Sequence, residues 1–197
     1  MSAPVSVLVA AGSSRRGSFN AQLAKVAARI AREAGAEVIE LDLRALALPV
    51  YDGDVEAAGM PAGALELRRQ FAAHDALLLA APEYNAFVTP LIVNCFDWAS
   101  RPAADGELPS GLAAMSGTVA GLLSASPGAL GGARGLLFLR SFLSTALAML
   151  VVPETASIGQ AHAAFDEAGA LKDAKQQQAV ERVVRSVLRT AAALKAG

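Results

Sequence analysis

Residues 5–20 read VSVLVAAGSSRRGSFN, and the order of residue types along this stretch decides the fold class. VSVLVAA (5–11) is a continuous apolar run, the pattern of a strand covered on both faces, as in a parallel sheet. It stops at Gly12, and a loop rich in serine and arginine follows. From Asn20 to Ala34, Leu23, Val26, Ala27, Ile30 and Ala34 then fall on one helical stripe, which Gly35 ends. Buried strand, polar loop and amphipathic helix make the opening half of a βαβ unit.

The same alternation continues outward from this start. Residues 36–42, AEVIELD, alternate apolar and polar side chains, as an edge strand with one solvated face does. LPVYDGD (48–54) is turn-rich, and 62–73 reads as a second helix. ALLLAA (76–81) is another buried strand, ended by Pro82. The spacing predicts a helix over 90–100, with Pro90 in its first turn, where a missing N–H costs little. A fourth strand over 119–124, a long apolar helix over 136–147, a fifth strand over 149–157 and a closing helix over 172–195 complete the chain. No repeat, low-complexity tract or linker divides it, so residues 1–197 are expected to form one domain. Repeated strand–helix alternation argues for a doubly wound parallel sheet with right-handed crossovers. Ligands of such sheets bind beyond the carboxyl ends of the strands, where strand order reverses. The loops 12–20, 82–89 and 124–132 leave those ends and are expected to converge on one site.

Composition narrows the function classes. The chain has 197 residues, 54% of them hydrophobic and only 5% aromatic, which suits aliphatic strands under alanine-rich helices. Lys and Arg total 17 against 18 Asp and Glu, a net charge of -1 and no basic excess for nucleic acid. Cys95 is the only cysteine, and the two histidines, His74 and His162, offer no metal-ligand spacing. The N-terminus does not read as a secretory signal, and Arg140 interrupts the most apolar stretch. A cytoplasmic protein without a membrane span is the expectation.

Each loop has a chemical and a plain structural reading. In Gly12-Ser13-Ser14-Arg15-Arg16-Gly17-Ser18-Phe19-Asn20, hydroxyls, backbone N–H groups and a helix N-terminus suit a phosphate dianion. An arginine can add a charge-assisted bond. Equally, Ser18 can serve only as a helix cap. The loop carries neither Gly-Lys-Ser/Thr nor Gly-x-Gly-x-x-Gly, so it is neither a triphosphatase loop nor the ordinary dinucleotide fingerprint. Pro82-Glu83-Tyr84-Asn85 can form a flat wall against a planar ring, or a helix-initiating turn with Tyr84 half buried. Ser124-Ala125-Ser126-Pro127-Gly128-Ala129-Leu130-Gly131-Gly132 lets the backbone approach a ring edge, or is an ordinary Pro-Gly turn.

Together the segments AGSSRRGSFN (11–20), PEYN (82–85) with NCFDWASR (94–101), and SASPGALGGARG (124–135) resemble the NADPH-dependent FMN reductase family, which includes quinone, chromate and azo-dye reductases. The resemblance runs from about Val5 to Pro153. It implies a flavodoxin-like three-layer α/β/α sandwich with a five-stranded parallel sheet in the order 2-1-3-4-5. It also implies bound FMN, with NADPH or NADH as reductant. The family's first motif binds the flavin phosphate, which assigns Ser13, Arg15, Ser18, Phe19 and Asn20. Its second lines the isoalloxazine and assigns Pro82, Glu83, Tyr84 and Asn85. Its third borders the other side of the ring and assigns Ser124, Ser126, Pro127 and Gly128. Two positions depart from the pattern. Ala86 stands where the family commonly has glycine, and Ile92-Val93-Asn94 replaces a Leu-Lys-Asn triplet, removing a positive charge.

A flavin carries its own chemistry, so no catalytic triad, metal or covalent nucleophile is expected. The implied activity is hydride transfer from nicotinamide to FMN and onward reduction of a quinone or similar small acceptor. Two other classes fit the same loops: a flavodoxin-type electron carrier, and a flavin-free relative of the fold. Cys95 reads as a buried structural thiol and Trp98 as core or interface. Arg182, Arg185 and Arg189 read as a solvated helix face. The apolar stretch 136–150 suggests a helix buried on two sides, one against a partner subunit, and hence a homodimer or homotetramer.

Overall fold

A computed structural model describes residues 3–102, 109 and 111–196. Strands β1 (Ser6–Ala11), β2 (Glu37–Leu41), β3 (Ala76–Ala80), β6 (Val119–Ala125) and β7 (Leu150–Ile158) form one sheet in the order β2-β1-β3-β6-β7, with every neighbouring pair parallel. Counting these long strands alone, the order is the expected 2-1-3-4-5. The chain leaves β1 towards β2 on one side and later returns to β3 on the other, so strand order reverses between β1 and β3.

Pleating distributes the core. Val7 and Val9 point to one face of the sheet and Leu8 and Ala10 to the other. β3 does the same, with Leu78 on the first face and Leu77 and Leu79 on the second. The first face is covered by helices α1 (Phe19–Glu33) and α7 (Ala174–Ala196). The second is covered by α3 (Ala62–Ala73), α4 (Pro90–Ala99) and α5 (Ala133–Ser141). β2 is the half-solvated edge that its alternation predicts. Helix α7 presents Val180, Val183, Val187 and Ala191 to the sheet, while Arg182, Arg185 and Arg189 are exposed.

Several elements depart from the sequence expectation. The turn-rich segment at 48–54 leads into a short helix, α2 (Gly53–Ala58), capped by the Asp52 carboxylate accepting from Asp54 N–H. The apolar helix ends earlier than expected, at Ser141, and continues as a wider π-helical turn over Phe142–Ala146. A four-residue helix, α6 (Ala161–Ala164), follows β7. The other edge strand, β7, holds Pro153 at an irregularity where its register against β6 shifts. Arg140 donates to Val151 C=O (3.2 Å) and Pro153 C=O (3.1 Å) there.

Trp98 is fully buried, with Nε1–H donating to Pro49 C=O (2.8 Å) and its ring meeting Tyr51 edge-on. Cys95 is buried beside it on α4, and burial pushes its thiol up to about 12. A thiolate is the reactive form. The native protein is therefore expected to be inert to a thiol reagent at pH 8 and to take up one equivalent once denatured, as a colorimetric thiol assay reads. Rapid labelling of the native state would contradict this burial.

Candidate functional site

The first loop is fixed at both ends. Gly12 N–H donates to Ala80 C=O (2.9 Å), and Gly12 C=O accepts from the buried Thr89 hydroxyl (2.8 Å). A side chain at Gly12 would lie 2.1 Å from Ile92 Cδ1, so α4 packs against bare backbone there. At the other end Ser18 caps α1, its Oγ accepting from Ala21 N–H (3.0 Å). Helix geometry leaves the N–H groups of Phe19 and Asn20 without intrahelical acceptors, and the first turn holds no acidic residue. The plain reading of Ser18 as a helix cap holds, and the helix end it caps presents the positive pole of the dipole that the chemical reading requires. Ser13 Oγ accepts from Arg15 N–H (3.3 Å), and the Arg15 guanidinium sits 5.2 Å from the Phe19 ring centroid.

Asn20 is buried, and its amide is committed to the third loop. Its Nδ2 donates to Ala125 C=O (2.8 Å) and its Oδ1 accepts from Ala125 N–H (2.9 Å). One side chain therefore locks the start of α1 to the end of β6.

The second loop folds into a hairpin of two-residue strands, β4 (Glu83–Tyr84) and β5 (Phe87–Val88). Its turn residues, Asn85 (φ 51°) and Ala86 (φ 63°), are both left-handed, as a two-residue hairpin requires. Asparagine tolerates this region; alanine is strained in it by about 1–2 kcal/mol. The glycine common at this position in the resembled family has a physical reason, and Ala86→Gly is expected to stabilise the protein by roughly 1 kcal/mol in denaturant titrations. A loss of stability would show that the turn does not hold this conformation.

Glu83 does not offer its carboxylate to the cleft. Oε1 accepts from Arg134 Nε (2.9 Å) and Nη2, and Oε2 accepts from Gly135 N–H (3.0 Å) at the start of α5. Burial alone would raise its pKa, but the Arg134 and Gly135 bonds outweigh it and hold the carboxyl below its ordinary value. The ion pair spans 51 residues of sequence, and no local spacing signals it.

In the third loop, Ser126 N–H donates to Ile158 C=O (3.0 Å) and Ala161 N–H to Ser126 C=O (3.0 Å), tying the loop to β7 and to the start of α6. Gly131 and Gly132 are both left-handed and tightly enclosed.

The three loops meet around an open cleft of about 340 Å³. All the residues expected from sequence line it except Asn85, Ser124 and Gly128. Asn85 is exposed at the hairpin turn, Gly128 is exposed on the third loop, and Ser124 is wholly buried in β6 beneath Gly132. Ala125 lines the cleft as well; a small apolar residue at a strand end carries no sequence signal of such a role. A second cavity of similar size opens at the opposite end of the sheet. Its charged wall is a closed ion pair, with Asp75 accepting from Lys195 Nζ (2.8 Å) and from Ser6 N–H and Oγ–H.

The cleft's donors suit an anionic, planar cofactor. Hydroxyls, helix-end amides and Arg15 lie at one end, and Pro82 with the half-exposed Tyr84 lies at the other. Glu83, the only carboxylate in the lining, is spoken for. Among the described residues, no helix is long and apolar enough to cross a membrane.

Residues 5–163 match the sequence profile of the family described as NADPH-dependent FMN reductase. An NAD(P)H-dependent FMN reductase of Pseudomonas aeruginosa is 34% identical over 95% of both chains. A quinone reductase of Pseudomonas putida is 34% identical over 88% of both. Among solved structures, the flavoenzyme NAD(P)H:(acceptor) oxidoreductase of Paracoccus denitrificans superposes with a TM-score of 0.79 at 29% identity, covering 96% of this chain and 98% of that one. With the profile spanning most of the sequence and the relatives nearly all of it, this chain belongs to the NADPH-dependent FMN reductase family.

Proposed function

We propose that the protein is an FMN-dependent NAD(P)H oxidoreductase that reduces a quinone or similar small acceptor, with the whole chain acting as one domain in the cytoplasm. The observation that carries this reading is the cleft at the strand-order reversal, whose one carboxylate is locked away from an incoming anion by Arg134 and Gly135. When bound, FMN supplies the redox chemistry, accepting hydride from reduced nicotinamide and passing electrons to the acceptor. The chain's residues do the positioning. Ser13, Arg15, Ser18 and the Phe19 and Asn20 amides would hold the phosphate. Pro82, Tyr84, Ser126 and Pro127 would wall the ring, and backbone N–H groups of the 83–85 segment would favour the charge of a reduced ring.

Partner copies are part of the proposal. The sheet side of α5 and the following turn is buried through Leu136, Leu139 and Leu143, while Leu137 is 69% exposed and Phe138 50% exposed. Phe138 packs at a tilt against the half-exposed Phe87 of the hairpin (4.9 Å between ring centroids), so the apolar patch reaches the rim of the cleft. A patch of this kind suits an interface, and a homodimer or homotetramer would cover it. Light scattering at micromolar concentration checks this, and a monomer would contradict it.

The first test of the activity is the visible spectrum of the purified protein before and after NADPH under anaerobic conditions. Flavin bands that bleach are expected. Bands that persist with both NADPH and NADH would favour an electron carrier, and a colourless protein that takes up no FMN would refute the phosphate-loop assignment.

A further inference from the structure

Behind the first loop lies another cleft, of about 310 Å³, between α1 and the carboxyl end of β2. It shares Ser13 and Arg15 with the cleft described above, so the loop 13–17 is the wall between the two. Its floor is apolar, made by Val9, Ala24 and Leu41 among others, and Arg16, Lys25 and Arg44 stand on its rim. Two carboxylates also line it, but both are engaged. Glu40 pairs with Arg32 (2.9 Å), and Asp42 Oδ1 accepts the N–H groups of Arg44 (2.9 Å) and Ala45 (3.3 Å). Among the described residues, the side chains of Arg16, Lys25 and Arg44 have no hydrogen-bond or ion-pair partner. An apolar floor beneath unpaired cations is a site for a flat heterocycle carrying a phosphate.

Two other arginines face other groups. Arg134 is held by Glu83, and Arg101 lies over Tyr51, whose hydroxyl it approaches at 3.5 Å. We propose that the α1–β2 cleft receives the adenosine 2′-phosphate of NADPH, and that Arg44 and Lys25 set a preference for NADPH over NADH. The end of the second strand is where dinucleotide-binding sheets read the ribose, an acid accepting from a free 2′-hydroxyl and an arginine admitting a 2′-phosphate. Here the acid, Asp42, is turned to its own backbone, and a cation stands two residues beyond it. A dinucleotide with its nicotinamide in the first cleft would run its pyrophosphate across the wall that both clefts share.

The proposal rests on the flavin-reductase reading, and the test separates the two. FMN-loaded protein is compared with Arg44→Gln, Lys25→Gln and the double variant. Calorimetric titrations use adenosine 2′,5′-bisphosphate and adenosine 5′-monophosphate, alongside kcat/KM for NADPH and NADH. The wild type is expected to bind the bisphosphate more tightly than the monophosphate. Each single variant should lose about tenfold in bisphosphate affinity and in NADPH kcat/KM, the size of one charge-assisted hydrogen bond. Flavin content and NADH kcat/KM should stay unchanged. Equal binding of the two nucleotides by the wild type would overturn the proposal, as would a parallel loss of NADH and NADPH activity in the variants. A protein that retains no FMN refutes the underlying reading instead, and the spectrum alone reports it.

Discussion

Asn20→Ala is expected to lower the free energy of unfolding by about 2–6 kcal/mol and to weaken FMN binding at least tenfold, the larger loss lying in the fold. The side chain is buried, and both halves of its amide are bonded to the backbone of Ala125, 105 residues away. Truncation leaves a buried N–H and a buried C=O without partners, each costing about 1–3 kcal/mol. It also frees the α1 terminus from the third loop, so the first-loop and third-loop walls of the cleft lose their common anchor. Denaturant unfolding and flavin fluorescence on dilution measure the two effects. Asn20→Asp keeps the acceptor for Ala125 N–H but places a carboxylate against Ala125 C=O, and should therefore also be damaging. A stability loss below about 1 kcal/mol in the alanine variant would show that the clamp is not holding the loops together.

The role of Asn20 shows where sequence reading stops. Its position after Ser18 and Phe19 assigns it, by family resemblance, to a phosphate loop, and in the structure it lines the cleft between the three loops. Its committed amide was not legible, because the partner is a backbone group on a strand far along the chain. Glu83 is similar. The motif places it beside the ring, yet its carboxylate faces Arg134 and Gly135 on α5. By contrast, strands β1, β3 and β6 announced themselves through apolar runs, because a central parallel strand must be buried on both faces. The β4–β5 hairpin escaped notice because two-residue strands have no periodicity. Its one local signal, an asparagine before the turn's second residue, was blurred by alanine where glycine would have marked it. The π-helical turn at Phe142–Ala146 escaped because an uninterrupted apolar stretch looks the same for either winding.

Gly131→Ala is the second change expected to do large damage, and Gly128→Ala is its control. Gly131 has φ +60°, and a Cβ there would stand 2.7 Å from the backbone of Ser157 and Ile158. The left-handed conformation costs an L-residue about 1–2 kcal/mol. The overlap adds about 1–3 kcal/mol, because the atoms it meets belong to a strand and cannot rotate away. The loop must then lift from β7, breaking the Ser126 N–H bond to Ile158 C=O and moving Ser126 and Pro127, which wall the cleft. Released FMN regains its fluorescence, so the variant is expected to lose flavin on dilution while the wild type retains it. At Gly128 the backbone is not left-handed, and a Cβ would meet only Ser126 Oγ at 3.7 Å, an ordinary contact. That variant should stay within about 0.5 kcal/mol of wild type and keep its flavin. If both variants release FMN alike, the third loop's small residues serve close approach to the ring itself, and packing against β7 is not what places the wall.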